Sequence, residues 1–236
     1  MKVLVTGSTQ GIGYALAEAF ARRGDDVTVH CSADIKKAEA VRERIGAASA
    51  VVCDLSDAGQ VESLFSKTGP VDCLILNASV QYKNDWLSVS DSELRKQLEV
   101  NFVSTYRLIG EYYPSMKEKG FGRIVAIGSV NVYRNHPELT VYSATKCAVE
   151  SLIRNIAKQA APFGVTLNSV SPGAVATPRN RAVYDDPEKR RAVEKNIPVG
   201  RFGLPGDIVG AVMMLCSDAG AYITGTDIVI DGGMRL

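Results

Sequence analysis

Short apolar segments alternate with longer amphipathic segments along nearly the whole chain. The longer segments repeat apolar residues every third or fourth position, as helices do: Ile12, Leu16 and Phe20 share one face of residues 11–23, and residues 143–161 show the same spacing. The short segments are rich in Val, Ile and Cys, a composition that favours strands. The predicted strands are residues 2–6, 26–31, 49–53, 71–76, 122–128, 165–171 and 226–231.

The predicted strands are almost continuously apolar, which is typical of a parallel sheet covered by helices on both faces. Because crossovers between parallel strands are right-handed, the pattern predicts an α/β fold with a doubly wound, Rossmann-type parallel sheet of about seven strands. We find no repeat, low-complexity tract or linker, so residues 1–236 are predicted to form a single dinucleotide-binding and catalytic domain. The least regular stretch, residues 174–200, contains three prolines and many charges and is a candidate substrate lid.

Composition narrows the class of partner. The 236 residues are 46% hydrophobic and 22% charged, and the net charge of +1 comes without a run of one sign. We therefore expect a small neutral or anionic ligand, with no nucleic acid and no membrane as partner. The first apolar run begins almost at Met1, leaving no room for a secretory leader, and no apolar run approaches the roughly 20 residues that span a bilayer. We expect a cytoplasmic protein.

The cysteines and histidines do not form a metal-binding pattern. The five cysteines stand singly, mostly within apolar segments, and the only histidines are His30 and His136. We therefore predict reduced, buried cysteines and no metal site. His136 lies in a loop, where solvent exposure or a substrate contact is the alternative to a metal ligand.

A glycine-rich turn follows the first predicted strand, and the next helix begins inside it. The pyrophosphate of a dinucleotide binds backbone N–H groups at such a helix start, and glycine leaves room for its close approach. A tight turn without a ligand is the alternative, but this turn lies in the first βα connection, where a dinucleotide site is expected. The cofactor contacts predicted here are Gly7, Ser8, Gln10, Gly11, Ile12 and Gly13.

Polar residues also end the third and fourth predicted strands. Asp54, followed by Leu55, could accept a hydrogen bond from an adenine amino group. Asn77, Ala78 and Ser79 reach the same edge of the sheet and are further candidate cofactor contacts. Both groups could instead cap the helices that follow.

The residues after the second strand bear on the choice between NADP and NAD. An NAD enzyme places a carboxylate there to bind the ribose 2′-hydroxyl, whereas this chain has Ser32. Ser32 could bind a 2′-phosphate and Lys36 or Lys37 could neutralise it, so we predict NADP(H). Asp34 keeps NAD open, because a small change of register would bring its carboxylate to the ribose.

Tyr142 and Lys146 are four residues apart near the start of a predicted helix and therefore share one face. A phenol with a pKa of about 10 is a weak base at neutral pH, but a neighbouring ammonium and an oxidised nicotinamide would lower that pKa. Tyr142 is therefore a candidate general acid and base. Taken alone, the same spacing often arises by chance on helix surfaces.

Two further polar residues complete the candidate catalytic site. Ser129 ends the fifth strand, where its hydroxyl could hold a substrate oxygen beside Tyr142. A hydrolase nucleophile is the alternative, but Ser129 lacks the second glycine of a G-x-S-x-G elbow and neither histidine is an evident base. Asn101 lies in a long helical segment, where it is either a surface or kink residue or a ligand for a water that relays protons to Lys146.

The ordered set of motifs resembles the classical short-chain dehydrogenase/reductase family, and within it the 3-oxoacyl-carrier-protein reductase-like group. The resemblance extends over essentially the whole chain, including residues 200–203 and 217–222. Any one motif is unspecific, whereas the whole set in this order is highly specific. The set comprises Thr6-Gly7-x-x-x-Gly11-x-Gly13, Asp54, Asn77-Ala78, Asn101, Ser129, Tyr142-x-x-x-Lys146, Ser171-Pro172-Gly173 and Asp231-Gly232-Gly233.

The resemblance implies roles for individual residues. Tyr142 would give a proton to the carbonyl oxygen as hydride arrives from the nicotinamide, Lys146 would bind the nicotinamide ribose, and Ser129 would bind the substrate. It also implies a homotetramer or a homodimer, with helices near 91–118 and 143–161 at an interface. The nicotinamide contacts that it implies, besides Tyr142 and Lys146, are Pro172, Gly173, Val175 and Thr177.

Two departures from the family pattern concern the cofactor. Ser79 replaces the glycine of the usual Asn-Ala-Gly, and Gln10 stands where many NADP users carry Arg or Lys. The first adds a side chain near the cofactor, and the second weakens the case for NADP.

The sequence therefore predicts an NADP(H)-dependent oxidoreductase that transfers a hydride between nicotinamide and a carbonyl or secondary alcohol carbon. Acyl, sugar and polyol substrates all stay open. A catalytically silent NADP(H)-binding sensor on the same fold is the alternative, and a serine hydrolase is a more remote one. Basic residues in 174–200 could attract a phosphorylated or carrier-bound substrate, but interspersed acidic residues favour a solvated helix of mixed charge.

Overall fold

The computed structural model describes residues 1–236 and places every strand in one sheet. The strands are β1 Lys2–Val5, β2 Asp26–Cys31, β3 Ser49–Val52, β4 Cys73–Leu76, β5 Gly122–Ile127, β6 Val165–Pro172 and β7 Asp227–Ile230. All pairs are parallel, in the spatial order β3-β2-β1-β4-β5-β6-β7, so the predicted fold class is confirmed. The strand order reverses between β1 and β4, and this reversal opens a crevice at the carboxyl ends of the strands.

Helices cover both faces of the sheet. One face packs against α1, α2 and α9, and the other packs against α3, α5 and α6. None of the helices combines the length and apolarity that a membrane span requires. The helices are α1 Gly11–Arg22, α2 Ile35–Ile45, α3 Ala58–Thr68, α4 Asp91–Leu98, α5 Ser104–Lys119, α6 Thr140–Ala160, α7 Arg181–Tyr184, α8 Pro187–Glu194 and α9 Pro205–Leu215.

Successive strand residues point to opposite faces and so supply two separate cores. In β1, Leu4 belongs to the core that includes Tyr112 of α5 and Ile153 of α6, whereas Val3 and Val5 belong to the core on the opposite face. This division explains the continuous apolar runs of the sequence, because a strand covered on both sides has no solvent-facing positions.

Aspartates fix the starts of two helices that follow strands. The carboxylate of Asp34 accepts a hydrogen bond from the backbone N–H of Lys37 at 3.0 Å and caps α2. Asp57 caps α3 in the same way, through the N–H of Gln60 at 3.1 Å. Because Asp57 takes this position, the carboxylate of Asp54 does not cap the helix and stays at the end of β3.

The helical stretch predicted near residues 91–118 is interrupted. Helices α4 and α5 are joined by a π-helical segment, Glu99–Val103, in which each hydrogen bond spans one residue more than in an α-helix. Asn101 lies at the centre of this wide turn and is buried. Of the interpretations that the sequence left open for Asn101, the surface residue is wrong because the side chain is buried, whereas the kink residue agrees with its place in the π-helical turn.

Residues 174–200, the candidate lid, form two short helices, α7 and α8, beside the crevice. The charges on α8 largely pair within the helix: Lys189 lies 3.1 Å from Asp186, and Arg190 lies 2.8 Å from Glu194. This pairing agrees with the interpretation of a solvated helix of mixed charge. The movement of this segment as a lid stays a prediction.

Four of the five cysteines are buried, and none forms a disulfide. Cys147 is exposed, so the prediction of buried cysteines is wrong for this residue, which lies on the outward face of α6. No group of three or more His, Cys, Asp or Glu side chains comes together as a metal site would require.

Removing one buried hydroxyl tests the core between α3 and α5. The Tyr112 hydroxyl lies 2.6 Å from Oγ1 of Thr68, and burial raises the pKa of Tyr112 to about 12. We expect Tyr112→Phe to lower the free energy of unfolding by about 1 kcal/mol, because Thr68 loses its donor inside the core. Urea denaturation measures the loss, and Tyr106→Phe, at a 59% exposed position, is the control that should change nothing. Equal stability of wild type and Tyr112→Phe would show that this contact is energetically neutral.

Candidate active site

A cavity of about 550 Å³ lies at the carboxyl ends of the strands. Loops that follow β1, β4, β5 and β6 form its walls, and it brings together nearly all of the residues that the sequence singled out. Among the candidate site residues, Ser8, Asp34, Lys36 and Asn101 do not line it. The predicted residues that line it are Gly7, Gln10, Gly11, Ile12, Gly13, Ser32, Asp54, Leu55, Asn77, Ala78, Ser79, Ser129, Tyr142, Lys146, Pro172, Gly173, Val175 and Thr177.

The glycine turn after β1 has a shape that only glycine allows. Gly7 and Gly11 have φ angles of 63° and 59°, in the left-handed region that other residues rarely adopt. At Gly13 a Cβ would lie 2.4 Å from both the Gly7 carbonyl oxygen and Nδ2 of Asn77. The backbone of the turn is therefore open toward the cavity and closely packed on its other side.

Thr6 and Asn77 bind the glycine turn to the end of β4. The hydroxyl of Thr6 accepts hydrogen bonds from the backbone N–H groups of Asn77, at 2.9 Å, and Ala78, at 3.0 Å. In return, Nδ2 of Asn77 donates to the carbonyl oxygens of Thr6, at 2.9 Å, and Gly7, at 3.1 Å. Asn77 is therefore not a helix cap, which was the alternative left open by the sequence.

His30 holds the other side of the same turn. Its Nδ1 accepts a hydrogen bond from the N–H of Gly7 at 2.9 Å, so its Nε2 donates to the carbonyl oxygen of Cys53 at 3.0 Å. Burial lowers the pKa of His30 to about 4, which keeps the ring neutral at physiological pH. The backbone N–H of His30 also donates to the Ser8 hydroxyl at 2.9 Å, which turns that side chain toward β2 and away from the cavity.

Sequence reasoning considered His30 only as a metal ligand and missed this role. The available signal was a polar residue that can both donate and accept, placed at the end of an otherwise apolar strand next to the glycine turn.

Asp54 lines the cavity at the end of β3. Its Oδ1 accepts from the backbone N–H of Ser56, at 2.9 Å, and from the Ser56 hydroxyl, at 2.8 Å, and Lys96 lies 3.4 Å away. Partial burial opposes ionisation, but these hydrogen bonds and the charge of Lys96 outweigh it and lower the pKa of Asp54. The carboxylate is therefore ionised and remains an acceptor at this end of the cavity.

The residues after β2 present a cation and no free carboxylate to the cavity. The Asp34 carboxylate is used as the cap of α2, whereas the Lys37 ammonium lies 3.2 Å from Oε1 of Gln10. Ser32 and Lys37 both line the cavity, and Lys36 does not. Of the two lysines that the sequence offered as partners of a 2′-phosphate, only Lys37 lines the cavity.

Tyr142 and Lys146 are buried and line the cavity together, so their spacing is not a chance surface pairing. The Lys146 ammonium donates to the carbonyl oxygen of Ile127 at 2.7 Å and lies 5.7 Å from the centroid of the Tyr142 ring. Burial lowers the pKa of Lys146 to about 7, and the positive charge of Arg179 adds to the effect. Near neutral pH this amine is therefore divided between its charged and neutral forms.

Ser129 stands where β5 ends, on the same cavity wall as Tyr142. Its Oγ accepts a hydrogen bond from the backbone N–H of Asn131 at 3.2 Å, which leaves the hydroxyl proton free to be donated. His30 is engaged by Gly7 and Cys53, and His136 makes no hydrogen bond to Ser129. The arrangement resembles a hydrogen-bond donor for a ligand more than an activated nucleophile.

Asn101 is buried behind the cavity wall. Its Oδ1 accepts from the backbone N–H of Val80 at 2.8 Å, and its Nδ2 donates to the carbonyl oxygen of Val80 at 2.9 Å and to Thr145 Oγ1 at 3.1 Å. Thr145 in turn donates to the carbonyl oxygen of Tyr142 at 2.7 Å. The side chain thus joins the loop after β4 to the first turn of α6, a contact that sequence reasoning did not foresee.

Ser79 and Arg179 meet across the cavity. One guanidinium nitrogen, Nη2, donates to the carbonyl oxygen of Ser79 at 2.6 Å and lies 3.0 Å from its hydroxyl. Ser79 follows β4 and Arg179 follows β6, so the contact connects two walls of the site. The hydroxyl that distinguishes Ser79 from the family's usual glycine is therefore used as a hydrogen-bond partner.

Comparisons with known proteins agree with this geometry. A family model described as enoyl-(acyl carrier protein) reductase matches residues 7–235. The curated 3-oxoacyl-[acyl-carrier-protein] reductase FabG of Haemophilus influenzae is 36% identical over 99% of this chain and 97% of its own length.

Two solved structures show how closely the backbone follows known proteins. The 3-oxoacyl (acyl-carrier-protein) reductase of Agrobacterium tumefaciens C58 with NADP bound is 37% identical, with a TM-score of 0.93 over 98% of this chain and 93% of its own. The gluconate 5-dehydrogenase of Burkholderia cenocepacia in complex with NADP and tartrate is 28% identical, with a TM-score of 0.91 over 99% and 94%.

The doubly wound parallel sheet and the matches over nearly the whole chain define a protein with a Rossmann-type fold. The chain belongs to the short-chain dehydrogenase/reductase family, and within it resembles the 3-oxoacyl-carrier-protein reductase group. It is therefore an enzyme acting on CH–OH or C=O groups with a nicotinamide dinucleotide.

Protonation of His30 is expected to destabilise the fold in acid. Because its folded-state pKa of about 4 lies below the ordinary value of 6.5, the unfolded chain takes up the proton first as the pH falls. Stability is then lost progressively as the pH falls from 6.5 toward 4, by about 2 kcal/mol at pH 5 relative to pH 8. Urea unfolding at these two pH values measures the loss.

The comparison is between wild type and His30→Asn, which has no ring to titrate and should show a drop smaller by about that amount. His136→Asn is the matched control: it removes the contribution of His136, whose pKa burial also lowers, but leaves His30 in place and should therefore keep most of the drop. If the free energy of unfolding had the same pH dependence in wild type and His30→Asn, the loss of stability in acid could not be assigned to His30.

Proposed function

We propose that this chain is an NADP(H)-dependent oxidoreductase that interconverts a carbonyl group and a secondary alcohol, with Tyr142 as general acid and base. The observation that carries the proposal is that Ser129, Tyr142 and Lys146 line the same cavity as the open glycine turn. A binding protein needs the turn but has no use for a proton donor beside a buried amine.

The cavity fits a dinucleotide. The turn at Gly7, Gly11 and Gly13 leaves backbone N–H groups without side chains in front of them, as a pyrophosphate requires. Asp54 is an ionised acceptor at the end of β3, suited to an adenine amino group. When bound, the cofactor supplies or accepts the hydride. The residues that would hold its nicotinamide half are Lys146, Pro172, Gly173, Val175 and Thr177.

The proton chemistry falls to Tyr142 and its neighbours. In reduction, the Tyr142 hydroxyl gives its proton to the substrate oxygen as that oxygen gains negative charge, and in oxidation the phenolate takes the proton back. Ser129 donates a hydrogen bond to the same oxygen, which stabilises the developing charge. Lys146 in its charged form stabilises the phenolate, and Asn101 keeps α6 in place through Thr145.

The preference for NADP(H) rests on the charges after β2. Gln10 occupies the position where many NADP users have a cation, but the Lys37 ammonium reaches the Gln10 side chain and supplies a positive charge at that point. Asp34, the residue that favoured NAD, has its carboxylate engaged by a backbone N–H. A 2′-phosphate would therefore meet Ser32 and Lys37 without a repelling carboxylate.

The substrate we propose is a small oxo or hydroxy compound. Relatives whose names specify acyl-carrier and gluconate chemistry support it.

The assembly we propose is a homotetramer or a homodimer. It is supported by exposed apolar side chains on α4, namely Leu94 and Leu98.

Replacing the Tyr142 hydroxyl tests the mechanism. We expect Tyr142→Phe to lower kcat for NADPH-dependent reduction of a ketone panel about a hundredfold or more, because the proton donor is lost while the ring still fills its site. Stopped-flow absorbance of NADPH measures the rate, and NADPH fluorescence should show that cofactor binding survives. Tyr106→Phe is the control and should be fully active.

Little loss of rate in an otherwise active enzyme would refute the role of Tyr142. Tight NADPH binding by the wild type with no turnover of any panel member would instead support the alternative of a silent sensor.

Neutralising one lysine tests the cofactor preference. We expect Lys37→Gln to reduce the ratio of kcat/KM for NADPH to that for NADH about tenfold, because one charge-assisted contact to the 2′-phosphate is lost. Lys36→Gln, which alters a neighbour outside the cavity, should leave the ratio unchanged. Equal effects of the two substitutions would show that the contribution is not a local contact.

A further inference from the structure

We infer that the substrate half of the cavity recognises a small anion, so that the natural substrate carries a carboxylate or a phosphate ester held by Lys83, His136 and Arg179. This inference rests on the proposed oxidoreductase function and specifies its substrate class. The shared chemistry of these two groups is negative charge on oxygens that accept several hydrogen bonds.

Three separate loops each bring one basic side chain to this part of the cavity. Lys83 lies on the loop after β4, His136 on the loop before α6, and Arg179 on the loop after β6. Three basic residues that are distant in sequence therefore line the same cavity as Ser129 and Tyr142.

Backbone contacts hold these loops together. The N–H of Asn84 donates to the carbonyl oxygen of Glu138 at 3.1 Å, which places Lys83 beside the loop of His136. At its other end the same loop is held by Arg179, through the carbonyl oxygen and hydroxyl of Ser79. The loops that carry the three basic groups are thus connected to one another.

The positive charge in this region is not balanced. Asp54 is the only carboxylate among the residues that line the cavity, and it lies at the opposite end, paired with Lys96. Neither Lys83 nor Arg179 has a carboxylate partner, and Arg134, two residues before His136, has a buried Nη1 with no hydrogen-bond partner. Basic side chains whose charge no carboxylate balances attract an anion to a concave site.

The groups around His136 also carry more positive than negative charge. Burial lowers the pKa of His136, the charges of Lys83 and Arg134 lower it further, and only Glu138 acts in the opposite direction. An anion bound between these side chains would favour the protonated ring. His136 therefore serves as a reporter of anion binding as well as a contact.

The other basic residues of 174–200 do not contribute to this site. Arg181 is paired with Asp185, Lys189 with Asp186, and none of these four residues lines the cavity. Arg179 is the exception, because its side chain crosses to Ser79. A general basic surface is therefore not the source of the inferred preference.

Matched substrate pairs test the inference with the full-length enzyme and NADP(H). The pairs are gluconate and glucitol, acetoacetate and ethyl acetoacetate, and dihydroxyacetone phosphate and dihydroxyacetone. We expect the charged member of at least one pair to have a kcat/KM at least about tenfold above its neutral partner, since one charge-assisted contact has about that effect. The first two pairs test carboxylates, and the third tests phosphate esters.

Substitutions at the basic residues test which of them bind the charged group of the substrate. We expect Arg179→Gln and Lys83→Gln each to raise KM for the charged substrate about tenfold with a smaller change in kcat, and Arg179→Lys to recover part of the loss. Arg181→Gln, in the same segment but outside the cavity, is the matched control and should leave KM unchanged. The Kd of NADPH, measured by fluorescence, should stay constant, because a rise in that Kd would place Arg179 at the cofactor and overturn its assignment to the substrate.

A binding measurement keeps the inference testable without turnover. With NADP⁺ present, addition of malonate or inorganic phosphate should raise the pKa of His136 in an NMR titration, and Lys83→Gln should reduce that rise. If neutral substrates react as well as charged ones in a Tyr142-dependent way, the anion site is refuted and the proposed function stands. If no substrate reacts but malonate or phosphate shifts the pKa, the proposed function fails and the anion site stands; with no shift, both fail.

Discussion

The hydrogen bonds between the end of β1 and the end of β4 determine the shape of the whole site. These two strands are neighbours in space although 67 residues of other structure separate them, and the sheet reverses its order between them. The amide of Asn77 and the hydroxyl of Thr6 bind the two ends to each other and leave the glycine turn facing outward. Since Gly13 packs against the same amide, the position of the turn and the width of the crevice are fixed together.

Burial controls the charges of two basic side chains in this region. His30 is neutral because its ring is enclosed and satisfied on both sides by backbone groups. Lys146 is enclosed as well, but its amine has only the Ile127 carbonyl as a partner, and its pKa falls to about 7. Its protonation therefore responds to small changes in the surrounding field, including the position of Arg179. The crevice thus contains one basic side chain that stays neutral, His30, and one whose protonation can change near neutral pH, Lys146.

Much of this arrangement follows from the sequence alone. Apolar periodicity gave the strands and their parallel pairing because burial on both faces leaves a clear pattern. The glycine turn and the pair of Tyr142 and Lys146 were recognisable because their chemistry depends on local spacing. Strand β2 has the predicted bounds, and the ends of the other strands differ from the prediction by at most two residues, since local pattern does not show where pairing stops.

The contacts that the sequence did not reveal join distant segments. His30 supports Gly7 across 23 residues, and Arg179 reaches Ser79 across 100. Such contacts depend on which loops the sheet order brings together. The position of His30 beside the glycine turn was a signal for the first contact, whereas nothing in the sequence indicated the second. The cap at Asp34 was also missed, and for this reason the sequence left its carboxylate available to a ribose.

Helices α4 and α5 form one continuous helix, and the π-helical turn at Glu99–Val103 lets its two halves pack against different neighbours. An extra residue in a turn rotates everything beyond it by about 100° relative to a regular helix. In this chain α4 packs against α6, whereas α5 packs mainly against α3 and the sheet and makes fewer contacts with α6. A deletion of one residue here would straighten the hydrogen-bond ladder but turn one of the two helices away from its partner. The π-helical turn therefore sets the rotation of α5 relative to α4. Through it, one continuous helix packs against the sheet with one half and contributes to the wall of the crevice with the other.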